Sequence, residues 1–257
     1  MPEQKGAAPR VIPAATVVIF RHGKPGETPE ILMVQRAREM RFAGGAVVFP
    51  GGRIDPSDHE LAAVLAPVSD LEANAAKIAG IRETLEETGL AIGLTRPISA
   101  TQAADARQLL LEQGALQPVL ERFGWQLDLE ALVPFARWCP DWEGAFDTRF
   151  FLADLGTGSV DVAVDATENT RLFWASAADA IAMAASGEIS VIFPTHRNLD
   201  RLALFANFAE ARDHALAHEV RTITPQREHR EGVTWLTIPE GWGYPVTEQP
   251  MATVRRG

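Results

Sequence analysis

The chain has 257 residues, 46% of them apolar, and its 24 basic and 34 acidic side chains give a formal charge of −10. That length suits one large domain or a core domain with additions, and so acidic a balance argues against general nucleic-acid binding, which runs on basic patches. The single cysteine, Cys139, excludes an internal disulfide and a cysteine-built zinc site, and is read as structural.

Residues 1–13 carry Pro, Gly, Lys and Arg without periodicity and read as a flexible N-terminal arm ahead of one domain over 14–257. AATVVIF (14–20) and EILMVQR (30–36) are β-rich, and the turn-forming RHGKPGETP between them predicts a hairpin. AVVF (46–49) reads as a third strand running into PGG. The segment HELAAVLAPVSD (59–70) is mostly apolar with one proline and reads as a packed insert. Ser69 and Glu72 match a capping box, which predicts a helix over about 70–88, and Gly89 is suited to end it in a left-handed conformation. Residues 102–123 read as helical, 146–155 and 171–175 as strands, 176–187 as a helix with a glycine stop, and 196–217 as one longer helix. VTWLTIP (233–239) is strand-like, and the aromatic turn EGWGYP (240–245) belongs to a tail expected to pack back on the body. Strands on both sides of a helix, with more helices later, predict mixed α/β or α+β architecture. No run reaches the roughly 18 apolar residues of a membrane span, residues 13–20 are too short for a signal core, and the C-terminal RRG is no address signal. The expectation is a cytoplasmic protein with no membrane and no nucleic-acid partner.

The predicted helix at 70–88 carries the chemistry. At 100° per residue, Ile78, Ile81 and Leu85 form one stripe, and Glu83, Glu86 and Glu87 fall together on the opposite one. Three neighbouring carboxylates repel one another unless a cation joins them, and Mg²⁺ takes hard oxygen ligands together with water and substrate phosphate. Alone, the triplet describes a solvated acidic face better than it describes a metal plate. Arg82 stands at its edge, one turn before Glu86, and FPGG lies upstream at a strand end, where glycines permit close backbone approach. Arg36, Arg38 and Arg41 precede that turn and are either phosphate contacts or a solvated basic loop. Arg149 is either a substrate contact or an ordinary strand residue. The six histidines lack zinc spacing and read as surface residues.

With these residues the chain resembles the Nudix hydrolases, whose box reads G-x5-E-x7-R-E-U-x-E-E-x-G-U, U being bulky and apolar. Arg82, Glu83, Glu86, Glu87, Gly89 and Leu90 match its second half, Thr84 stands where an aliphatic residue is usual, and Gly52 matches its start. QRAREMRFAGGAVVFPGG, DTRFFLA, the segment 168–174 and WGYP resemble a branch with an interrupted box that includes a mammalian peroxisomal coenzyme A diphosphatase. From Gly52 to Arg82 is thirty positions, sixteen more than the box allows. Counted forward from Gly52 the box's first glutamate falls on Asp58; counted back from Arg82 it falls on Asn74.

The resemblance implies a Nudix-type α/β/α sandwich with a mixed sheet, extra helices and a packed C-terminal tail. It implies Mg²⁺ or Mn²⁺ held by Glu83, Glu86 and Glu87, with Asp58 as a replacement ligand. Arg82 and Glu83 are the expected catalytic groups, and Glu168 is the downstream acid that could take a proton from water. Gly51, Gly52, Arg36, Arg38, Arg41 and Arg149 are the expected substrate contacts. The implied reaction is hydrolysis of a diphosphate in a small anionic nucleotide, first of all coenzyme A or acyl-coenzyme A. Another nucleotide diphosphatase, and a non-catalytic ligand-binding module of the same fold, are the alternatives. A homodimer stays open.

Overall fold

A computed structural model describes residues 10–22, 27–40, 43–66, 70–157 and 169–254. The two β-rich runs near the N terminus form β1 (Ile12–His22) and β2 (Glu30–Arg36), antiparallel at Phe20↔Ile31 and Arg21↔Glu30. β1 starts two residues earlier than its sequence suggests, because Ile12 and Pro13 pair with Phe146 and Asp147. Residues 1–9 of the expected arm lie outside the described residues.

Toward its start β1 parts from β2, and the segment 47–53 fills the gap. β3 (Val47–Val48) pairs with β2, and β4 (Gly51–Arg53) pairs with β1. The expected four-residue strand shortens to two because the chain changes ladders at Phe49 and Pro50, the Pro50 carbonyl accepting from Val17 N–H at 2.9 Å. β1 also runs parallel to β6 (Phe146–Thr157), β6 antiparallel to β5 (Val133–Trp138), and β5 parallel to β8 (Thr222–Ile223). β7 (Asn169–Ala175) pairs with β2 on the side away from β1, completing an eight-stranded mixed sheet.

Side-chain alternation along β1 sends Ala15, Val17 and Ile19 to one face and Val18 and Phe20 to the other. The first face is covered by α1 (Pro56–Leu65), α2 (Leu71–Thr88), α3 (Ala100–Gln113) and α4 (Leu116–Phe123). There Ile78, Ile81 and Leu85 are the buried stripe the periodicity predicted. The second face, with Met33, Phe150 and Leu152, is covered by α5 (Ala177–Ser186), α6 (Phe193–Leu202) and α7 (Phe208–Leu216). The α/β/α sandwich with a mixed sheet is therefore present.

Two element readings are corrected, the cap of α2 and the single helix over 196–217, and two gain detail, the packed insert and the helical run 102–123. The insert at 59–70 is largely α1, started by Pro56 in its first turn and held down by Leu61 and Ala62; residues 67–69 lie outside the described residues. α2 is capped by Asp70, which accepts from Ala73 N–H at 3.0 Å; the expected cap, Ser69, is not among the described residues. The runs 102–123 and 196–217 are each two helices. Gly114 adopts φ 67° and ends α3, while Asn207 accepts from Glu210 N–H at 2.9 Å and starts α7 afresh. Gly89 closes α2 at φ 74° as predicted.

β9 (Gln226–Arg230), β10 (Val233–Thr237) and β11 (Glu248–Pro250) make a separate antiparallel sheet. Between β10 and β11 the chain returns to the core through Tyr244. Its buried hydroxyl accepts from Trp138 Nε1 at 3.1 Å and donates to Asn198 Oδ1 at 2.8 Å. Among the described residues no helix is long and apolar enough to cross a membrane.

Candidate active site

α2 lies close enough to β1 that a Cβ on Gly80 would come within 2.8 Å of Val17 Cγ2. One turn on, Gly52 of β4 meets Glu83 in the same way: an added Cβ would fall 2.6 Å from Glu83 Oε2. A glycine here lets the carboxylate rest on the strand backbone. Helix packing thus delivers Glu83, Glu86 and Glu87 to the place where β1 and β2 part.

Arg82 organises this end of the helix. Its Nε and Nη2 donate to the two oxygens of Asp58 at 3.0 and 2.9 Å, Nη2 also reaches the Arg53 carbonyl at 2.9 Å, and Nη1 reaches Glu83 Oε1 at 2.9 Å. Glu86 Oε2 lies 3.6 Å from Nη1. The guanidinium is only 3% exposed and Asp58 only 1%. Burial works against the arginine's charge, but the bond to Asp58 and the fields of Glu83, Asp58 and Asp55 outweigh it, holding the pKa above its ordinary value. Asp58 Oδ2 also accepts from Asp55 N–H at 2.9 Å. The forward count from Gly52 therefore finds the carboxylate that meets Arg82, whereas Asn74 of the backward count sits in the first turns of α2.

Glu87 is 4% exposed, so the acidic stripe is not a solvated face throughout. Its Oε2 accepts from Gly51 N–H at 2.9 Å and its Oε1 from Asn169 Nδ2 at 3.3 Å. Glu86 keeps about a third of its side-chain surface, at 35%, and its carbonyl accepts from Arg107 Nε at 2.9 Å. Burial pushes the Glu83 carboxyl up to about 8; Arg82 opposes the rise, and Glu87 and Glu86 add to it. Thr84, the departure from the box, is buried and donates to the Gly80 carbonyl at 2.7 Å, so its hydroxyl is satisfied inside the helix.

The donor set suits a hard divalent cation: carboxylate oxygens on adjacent turns, with Glu83 in a position where added positive charge would favour ionisation. Among the described residues no three acidic, histidine or cysteine side chains already form a cage. Mg²⁺ asks for no such cage, since it takes one or two carboxylates plus water and phosphate oxygens.

The other sequence candidates scatter. Arg36 ends β2 opposite Asn169, and its Nε is buried with no hydrogen bond among the described residues. Arg38 is exposed in the following turn. Arg149 lies two strands from Gly52, with Ala15 between them and Arg137 on its other side. Arg41 and Glu168 lie outside the described residues. Asn169 was missed: one polar residue at a strand start carries no signal in sequence.

Fold and site together define a three-layer α/β/α protein with an acidic helix at a split sheet. Among solved structures, a NUDIX hydrolase from Alicyclobacillus acidocaldarius aligns at 31% identity over 80% of this chain and 97% of its own, with a TM-score of 0.67. A MutT NUDIX hydrolase from Burkholderia pseudomallei aligns at 14% over 74% of this chain and 96% of its own, with a TM-score of 0.39. A C. elegans Ap4A hydrolase aligns at 20% over 69% and 88%, with a TM-score of 0.37. No family model and no curated protein matches the chain. On the first of these alignments the chain belongs to the Nudix hydrolases, which are pyrophosphohydrolases.

Proposed function

We propose that the protein hydrolyses the diphosphate linkage of a nucleoside-diphosphate-linked substrate with Mg²⁺ or Mn²⁺, and that coenzyme A or an acyl-coenzyme A is that substrate. The observation that carries the catalytic reading is the fixed geometry of Glu83 and Glu87. Glu83 is held by Arg82 over Gly52, and Glu87 is held by donors on both of its oxygens. Catalysis of phosphoryl transfer is mostly positioning and charge stabilisation, and this end of α2 supplies both.

In this reading Glu83, Glu86 and Glu87 hold the metal, which when bound neutralises phosphate charge and acidifies a water. Arg82 is a positioning residue that fixes Glu83. Asp58 we assign to Arg82 rather than to the metal, because both its oxygens already accept hydrogen bonds from the guanidinium. Glu168 remains the candidate acceptor for the water's proton. Arg36 supports an anionic substrate: its buried Nε faces no acceptor among the described residues, and its cross-strand partner Asn169 binds Glu87. Arg38 and Arg41 follow it in sequence, ahead of Gly51 and Gly52, and are the proposed contacts for the 3′-phosphate.

The test is kcat/KM with Mg²⁺ or Mn²⁺ for coenzyme A, its 3′-dephosphorylated form, NADH and ADP-ribose. Coenzyme A should be preferred and should yield a 4′-phosphopantetheine species and adenosine 3′,5′-bisphosphate. Loss of the 3′-phosphate should weaken use of the substrate, and Arg38→Ala or Arg41→Ala should shrink that difference. A preference of about tenfold or more for NADH or ADP-ribose would transfer the assignment to another nucleotide diphosphate.

A further inference from the structure

We infer that Asn169 is a positioning residue that sets the orientation of Glu87 for metal binding, a role that rests on the metal-binding reading of α2. Asn169 opens β7 and is only 1% exposed, and its backbone is fixed by pairing with Arg36. Its Nδ2 donates to Glu87 Oε1 at 3.3 Å while the Gly51 N–H donates to Oε2 at 2.9 Å. The two donors come from different strands on different parts of the sheet. Held at both oxygens, the carboxylate cannot turn about its last torsion, and each oxygen keeps further acceptor capacity for a cation.

The chemistry requires a donor here. An ionised carboxylate only accepts, so the NH₂ end of Asn169 must face Glu87. The other end, Oδ1, is buried with no hydrogen-bond partner among the described residues. Burying half an amide unpaired is unfavourable, so the position is poorly explained as packing alone and is well explained by the bond its other half makes. Residues that orient a metal ligand in this way commonly change metal affinity by 10–100-fold when removed.

The experiment is a titration of the substrate-free protein with Mn²⁺ alone, followed by electron paramagnetic resonance. Wild type, Asn169→Ala, Asn169→Leu and Glu87→Gln are compared, with melting temperature and steady-state kinetics alongside. Asn169→Leu is close in volume, adds no charge and carries the test should the alanine variant fail to fold. Both Asn169 variants should bind Mn²⁺ at least about tenfold more weakly and lose kcat with KM for substrate little changed. Wild-type Mn²⁺ affinity in both, with Glu87→Gln impaired, overturns the role of Asn169 and leaves the reading of α2 standing. Wild-type affinity in Glu87→Gln as well overturns both.

Discussion

Asp58 and Glu86 both lie against Arg82 and should answer mutation in opposite ways. Arg82 is buried with two of its donors on Asp58. Asp58→Ala takes the carboxylate from Nε and Nη2 of that buried guanidinium while Glu83 keeps Nη1, and stranding buried donors costs about 1–3 kcal/mol, more on a charged group. The variant should show a clearly lowered unfolding midpoint in denaturant, and an unchanged midpoint would sink the pairing. Glu86 is partly exposed, so Glu86→Gln should melt close to wild type while turnover falls by about a hundredfold or more, as for loss of a directly placed charge-stabilising group. Near-normal turnover would remove the catalytic reading of α2. The acidic triplet was legible in sequence because helical period alone makes 83, 86 and 87 neighbours. The partner of Arg82 was not, because Asp58 lies 24 positions away across an insert of unknown path.

At the scale of elements, the close approach of β4 to α2 is what one methyl group can test. In Gly52→Ala the new Cβ would overlap the Glu83 carboxylate. Glu83 must then leave its place against Arg82, so activity should fall by about tenfold or more, on the scale of a misplaced catalytic group. Because the clash is with a side-chain end and not with backbone, the circular dichroism spectrum should stay that of the wild type. An active Gly52→Ala enzyme would show that Glu83 does not act from this position. Elements with local signals were readable: the β-rich runs of β1 and β2 and the glycine stops of α2 and α5. The errors came where a signal was present but outweighed by a continuous apolar pattern. Asn207 with Glu210 marks a new helix inside 196–217, and Asp55 with Pro56 starts α1 ahead of the segment read as an insert. The split between β1 and β2 has no local signal at all, since it depends on which strand each half of 47–53 finds.

Over the whole molecule, the far layer carries a pH dependence separate from the site. His214 was expected at the surface and is instead half-buried beside Arg201, whose Nη2 lies 3.3 Å from His214 Nδ1. A guanidinium can only donate, so Nδ1 is the acceptor and the ring is neutral. Burial, Arg201 and the stacked His218 together lower its pKa from 6.5 to about 4. The unfolded chain therefore takes up this proton more readily than the folded one. This contribution to stability is complete above about pH 6.5 and is lost as pH falls toward 4. Melting temperature should decline over that interval, and His214→Gln, which keeps an acceptor and cannot titrate, should reduce the decline relative to wild type. Identical pH profiles for the two proteins would refute the assignment. Gly243 packs directly on this pair, so the returning C-terminal chain and the helical layer should respond together.

The bond between Asp58 and Arg82 has a practical consequence for engineering. It pins both ends of the segment that interrupts the box, so the catalytic spacing is set by a contact in space and not by the number of residues between. Lengthening a loop whose ends are already fixed is inexpensive, about 0.6 kcal/mol for each doubling. A short epitope or reporter peptide grafted directly after Ala66, beyond the packed Leu61 and Ala62, should leave turnover as it is. The same graft between Gly52 and Asp58 should abolish it. Those two outcomes together, read as turnover of each graft against wild type, would make the interruption a port for labelling or tethering, and loss of turnover in the first graft would refute it.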